Sequence, residues 1–210
     1  AMKERMKYLA DSWKLQKKSE LTASIGVATG VAVVGTIGCE KYMDYTAIGD
    51  TVNTASRITQ AASNDTILLE ASTVSILEPV AILEAPVELQ LKGKQKMVSV
   101  CTLDRLKTES EIEIALESGD IKRRIEILKC LGLLSCYRNT DLVRKYISDP
   151  ALAVREQALI TISKLDRQTD VDCLLAQLDI EKDENFRQEL LSVISNISSE
   201  AVIALLRDYL

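Results

Sequence analysis

From about residue 118 the sequence repeats itself at a spacing of 32, and few folds allow that. Arg123, Arg155 and Arg187 are in step, as are Ile127, Leu159 and Leu191. So are Cys130, Ile162 and Ile194, and Leu133, Leu165 and Ile197. Each unit closes on a second apolar segment: DLVRKYI (141–147), VDCLLAQL (171–178) and AVIALLRDYL (201–210). Apolar residues three to four apart predict helices. Helix pairs at a fixed period predict an α-solenoid over 118–210, in which each repeat covers the apolar face of its neighbours. A plain helical bundle is the alternative. Asp149-Pro150 and KDEN (182–185) fall where turns between repeats belong.

The preceding residues have another grammar. Gly26, Gly30, Gly35, Gly38, Gly49 and Gly93 precede residue 94, and only Gly119 and Gly132 follow it. Residues 2–18 space Met2, Met6, Leu9 and Trp13 as an amphipathic helix. LTASIGVA (21–28) and VAVVGTI (31–37) read as strands of one hairpin about Thr29-Gly30, followed by a loop from Gly38 to Asp50. TVNTASRITQAA (51–62) is helical by its spacing of Val52, Ala55, Ile58 and Ala62, with Asp50 or Thr51 as N-cap. A strand at 66–70, a helix at 72–77 capped by Ser72, and strands near 80–91 and 97–103 about the turn Lys92-Gly93-Lys94 complete an α+β layer. The expected division is 1–105 for this domain, 106–117 for a charged helical connector and 118–210 for the repeats.

Several function classes are disfavoured outright. The chain has no histidine, so His bases, Ser-His-Asp triads and His-containing zinc sites are excluded from it. Residues 1–105 hold 12 Lys+Arg against 12 Asp+Glu and residues 106–210 hold 14 against 19, which leaves no basic face for nucleic acid. No apolar stretch approaches the roughly 18–20 residues that span a bilayer. The N-terminus is helical and charged without a signal-peptide core. Five cysteines with no CxxC pair read as reduced core thiols, so the expected location is cytoplasmic.

Chemistry concentrates in IGVATGVAVVGTIGCEKYMDYTAIGDTVNTASR (25–57). Asn53 and Arg57, four apart on a helix, project from one face. A guanidinium binds two phosphate oxygens through a fixed donor fork, and a nearby amide can orient a ribose. The run Met43 to Arg57, preceded by the ATG turn and followed by LKGK (91–94), resembles the class III adenylate/guanylate cyclase catalytic domain. The tail from 118 to 210 resembles HEAT repeats. The implied fold is α+β, part of a ferredoxin-like cyclase domain, followed by an all-α HEAT-like solenoid.

The resemblance implies roles. Arg57 is the expected transition-state stabiliser and Asn53 the ribose-orienting residue. Thr46, seven before Asn53, falls where the family selects the base, and a bacterial branch with Thr there makes cyclic AMP from ATP. Lys92, with Lys94 as the other candidate, falls where a lysine meets the triphosphate. Tyr42 departs from the pattern, since many relatives carry Arg there. The family also uses two aspartates that hold paired magnesium or manganese, and these precede the matching stretch. Asp44 and Asp50 are not those ligands. The expectation is the C-terminal part of a bacterial adenylate cyclase, binding no metal by itself and inactive alone. Family sites form between two subunits, and residues 21–103 alone would leave an unpaired strand edge, so a homodimer is expected. The alternative is a non-catalytic dimerisation and protein-interaction module, with a protein partner on the repeats.

Overall fold

The computed structural model describes residues 2–15, 22–39, 42–91, 96–134, 140–165 and 171–195. The chain divides into two units, Ala1–Leu106 and Lys107–Leu210.

The first unit runs α1 (Met2–Leu15), β1 (Ile25–Val27), β2 (Val33–Cys39), β3 (Tyr42–Ile48), α2 (Asp50–Ala61), β4 (Ile67–Glu70), α3 (Ala71–Leu77), β5 (Ala81–Leu83), β6 (Val87–Leu89) and β7 (Val98–Leu106). β7 is the spine of the main sheet. One of its edges pairs antiparallel with β4, and the other with β5 and β6. β1 joins β4 in parallel, with Gly26 opposite Leu68. Parallel strands need a crossover, and α2 supplies it. Its Ile58 is fully buried, in a cluster with Leu91 and Val100 that is ringed by Leu68, Leu89 and Val98.

The expected hairpin about Thr29-Gly30 does not form. β1 is taken by β4, and β2 pairs instead with β3 as a separate two-stranded ribbon, from Val33↔Ile48 to Cys39↔Tyr42. Most of the expected loop at 38–50 is therefore strand. The β-formers Tyr45, Thr46 and Ile48 carry it, and they outweigh the turn signal of the local glycines. Among the described residues the ribbon strands pair only with each other. The ribbon is inserted between β1 and α2 of the βαβ unit.

β1 meets α2 at Gly26 because nothing larger fits. A Cβ there would lie 2.4 Å from Thr59 N and 2.6 Å from Ala55 O, both backbone atoms. Gly26→Ala is therefore expected to lower stability by about 1–3 kcal/mol through overpacking. Gly35→Ala is the control, since its Cβ would meet nothing within 4 Å. Urea unfolding of both variants checks this, and equal midpoints would refute the close approach.

The second unit runs α4 (Glu109–Ser118), α5 (Ile121–Leu133), α6 (Thr140–Arg144, continued by one 3-10 turn, Lys145–Ser148), α7 (Leu152–Leu165), α8 (Val171–Ile180) and α9 (Glu184–Ser195). The expected last helix, 201–210, lies outside the described residues. Side chains start the helices. Thr108 and Glu111 form a reciprocal capping box on α4, and Asp120 accepts from Arg123 N at 2.8 Å to cap α5.

Burial keeps the spacing of 32 at Cys130, Ile162 and Ile194, each at most 4% exposed, and adds a spacing of 31 elsewhere. Ile112, Val143 and Leu174 are fully buried and stand 31 apart, as do Leu116, Ile147 and Leu178. Leu128, Leu159 and Leu190 keep the same interval with at most 2% exposure. Leu133, expected inside on a spacing of 32, is 55% exposed, and Arg123 pairs on the surface with Glu126 while Arg124 turns inward. Neighbouring residues of one type, Arg123-Arg124 and Ile127-Leu128, make either register fit by residue identity. α4 carries the same buried positions as α6 and α8, so it packs as the second helix of a repeat rather than as the connector expected at 106–117.

Arginines and carboxylates bind the stack. Arg124 donates to Leu116 O at 3.0 Å and to Asp149 Oδ2 at 2.9 Å. Arg155 donates to Asp149 O at 3.1 Å and, from its other nitrogen, to Glu181 Oε1 at 3.0 Å. Arg187 repeats the backward contact, donating to Leu178 O and to Glu181 O at 3.3 Å. Outside this row, Lys145 pairs with Glu113, which holds its ammonium above the ordinary range.

Candidate functional site

The site residues hang on α2 and the ribbon that leads into it. α2 starts without a side-chain cap. Its N-cap is Gly49, at φ 152° and ψ 170°, a region essentially confined to glycine. The expected caps Asp50 and Thr51 are instead helical. Asn53 N donates to Gly49 O at 3.1 Å and closes the first turn.

Thr54 and Ile58 are the inward positions of α2. Asn53 and Arg57 each precede one of them, so they lie about 100° round the helix from the buried line. Asn53 is exposed and Arg57 half-buried. Both therefore sit on one flank, where a flat donor fork and an amide can act on a single ligand. Among the described residues Arg57 makes no ion pair.

Thr46 lies on β3, exposed and directly opposite Gly35 of β2. Its face of the ribbon also carries Asp44 and Ile48 from β3 and Val33 and Ile37 from β2. Lys92 and Lys94 lie outside the described residues. Three of the expected positions are thus on consecutive elements, β3 and α2, with Gly49 as the only residue between them.

The donor set does not suit a metal. Among the described residues no three His, Cys, Asp or Glu side chains are grouped so that they could hold an ion. Asn53, Arg57 and Thr46 offer an amide, a guanidinium and a hydroxyl, which are groups for phosphate, ribose and base. No step through a metal is derived from these residues. Among the described residues, moreover, no helix is long and apolar enough to cross a membrane.

Two residues that sequence reasoning did not single out as functional shape this site. Thr51 Oγ1 donates to Val31 O at 3.0 Å. Thr59 Oγ1 accepts from Gly26 N at 2.9 Å while donating to Ala55 O at 2.9 Å. Ile25 N is given to Thr66 O at the start of β4. By strand alternation the Gly26 N–H points away from β4, where Thr59 takes it. The signal available in the sequence was their symmetry, Thr-x-Asn-x-x-x-Arg-x-Thr, two residues outside the pair at each end.

Two family models match the chain. Residues 1–103 match the model of the adenylate and guanylate cyclase catalytic domain, and residues 109–195 match that of HEAT repeats, a span that includes α4. Adenylate cyclase 1 of Rhizobium meliloti (strain 1021) is 40% identical over 58 residues, 28% of this chain and 9% of its own length. Guanylate cyclase beta of Plasmodium falciparum (isolate 3D7) is 29% identical over 138 residues, 65% of this chain and 4% of its own. The crystal structure of the adenylyl cyclase CyaB from P. aeruginosa matches at 30% identity and a TM-score of 0.47, covering 50% of this chain and 54% of that one. The chain thus spans less than a tenth of these curated relatives and about half of the solved cyclase. The chain belongs to the adenylate and guanylate cyclase catalytic-domain family through residues 1–103, and it carries HEAT repeats over residues 109–195.

Proposed function

We propose that the first unit supplies the nucleotide-handling side of a cyclase centre, which converts ATP to cyclic AMP and pyrophosphate. The observation that carries this is the pair Asn53 and Arg57 on one flank of α2. In cyclisation the ribose 3′-oxygen attacks the α-phosphorus in line and pyrophosphate leaves. Charge that builds on the α-phosphate oxygens is met by the Arg57 guanidinium, and Asn53 holds the ribose in a near-attack geometry. Thr46 contacts the purine and favours ATP over GTP, and Lys92 meets the triphosphate. The magnesium or manganese that the family requires is held by residues outside this set, so these 210 residues alone form no product.

The test is product formation from ATP and from GTP with manganese, by the intact protein and by its Arg57→Ala form. ATP turnover that depends on Arg57 supports the reading, and turnover indifferent to it sinks the reading. Preference for GTP would overturn the role given to Thr46 alone.

A homodimer belongs to the same proposal, and the ribbon supports it. Val31 is 89% exposed, Tyr45 78% and Met43 66%, with Val33, Val34 and Ile48 exposed beside them. Val33 lies on one face and Tyr45 on the other, so both faces of a two-stranded ribbon present apolar side chains. The expected result is elution at twice the monomer mass, with Val33→Lys plus Tyr45→Lys returning the monomer. Monomer elution of the unaltered chain at micromolar concentration would count against it. The same observation favours a second reading, a non-catalytic interaction module, which gains if the intact protein dimerises and still forms no product.

A further inference from the structure

We propose that Thr51 and Thr59 are positioning residues that fix the register of α2, and with it the places of Asn53 and Arg57. This rests on the role given to that pair in the preceding section.

The two threonines bracket the pair, Thr51 two residues before Asn53 and Thr59 two after Arg57. Eight residues of helix separate their anchor points by about 12 Å. Each is tied to a different backbone group of one short segment. Thr51 donates to Val31 O at 3.0 Å, and Thr59 accepts from Gly26 N at 2.9 Å. One contact alone would let the helix pivot. Two contacts of this separation fix both its slide and its rotation relative to β1.

Close packing backs both anchors. A Cβ on Gly30 would lie 2.5 Å from Thr51 Oγ1, and one on Gly26 would lie 2.4 Å from Thr59 N. The segment between the anchors is itself held from the other side. Ser72 Oγ donates to Thr29 O at 2.8 Å, and the hydroxyls of Thr29 and Thr73 lie 2.9 Å apart. The turn that α2 grips is therefore not free to follow it.

Each threonine gives its one hydroxyl hydrogen to a backbone carbonyl, so neither is free to donate to a ligand in this arrangement. Their effect on chemistry passes through α2. Misplacing a reacting group by about 1 Å can cost on the order of 10²-fold in rate.

The experiment uses Thr51→Val and Thr59→Val in the intact protein, each removing a hydroxyl at nearly constant volume. Each is expected to lower kcat about 10-fold or more with KM for ATP changing less than about 3-fold. Thr51→Ser and Thr59→Ser should restore the rate. In an Arg57→Ala background the same valines should cost clearly less than in the unaltered protein, because one of the two groups they position is gone. An unchanged kcat, or an equal loss in the Arg57→Ala background, overturns the proposal. So does a loss that merely tracks the unfolded fraction read by circular dichroism. If Arg57→Ala is costly and the valines are neutral, the positioning role falls alone. If Arg57→Ala is itself neutral, the catalytic reading falls and this role with it.

Discussion

Arg57→Ala in the intact protein is expected to lower cyclic-nucleotide formation by about 10²–10³-fold, the usual effect of removing one preorganised group aimed at developing charge. The unfolding midpoint should move little by comparison. Arg57 is half-buried on the flank of α2, and the helix is held in the core by Ile58 and Thr54, not by the arginine. Arg57→Lys separates charge from geometry. A lysine keeps the positive charge but replaces a planar fork with a single ammonium, so it should recover only part of the loss. The loss should fall mainly on kcat, since charge develops in the transition state and not in bound ATP. Full activity in Arg57→Lys would mean that the site needs only a point charge, and the bidentate contact would be discarded.

The second large effect belongs to the helical unit. Glu181 is buried and Arg155 largely so, with side-chain exposures of 5% and 14%. The Arg155 guanidinium also lies over the Phe186 ring, 5.4 Å from its centre. Glu181→Ala leaves that guanidinium's charge without its carboxylate and should cost about 3–5 kcal/mol. The surface pair Arg144–Asp141, with Asp141 76% exposed, is the contrast, and its removal should cost about 0–1 kcal/mol. Urea unfolding followed by helical circular dichroism reads both, and comparable losses would show that burial is not what matters.

The same carboxylate sets a pH dependence. Burial alone pushes Glu181 up, but hydrogen bonds from Asp183 N, the Gln177 amide and Lys182 N, with the Arg155 charge, outweigh it. They leave its carboxyl below the ordinary value of 4.5. A group lowered on folding adds stability that is fully present above its unfolded value and is lost as pH falls through its folded value. The helical unit should therefore weaken on acidification below 4.5, and Glu181→Gln should flatten that part of the profile.

How far the sequence speaks depends on the range of the interaction. α2 was legible because its period of Val52, Ala55 and Ile58 is local, and the pair on its flank follows from that period alone. The partner of β1 was not legible. Three residues, Ile25–Val27, carry no mark that says they pair in parallel with Ile67–Leu69 more than forty positions away. Once β1 is given to the neighbouring hairpin, β3 has no partner and reads as loop. The repeat was visible as a period, but the register turned on which of Arg123 and Arg124 points inward, and only packing decides that. Thr51 and Thr59 escaped notice because a hydroxyl on a helix has several local uses, and here its partner is a backbone atom on another element.

Gly49 carries a mechanical consequence. It is the single residue between β3 and α2, and its backbone lies in a region that side chains resist. Two residues before β2, Val31 accepts from Thr51 in the same first helical turn. β3 thus runs into α2 across one residue, and the approach to β2 is tied to the same turn. The ribbon and the first turn of α2 are therefore placed together, so the register of the apolar strands and the start of the helix that carries Asn53 and Arg57 share one joint.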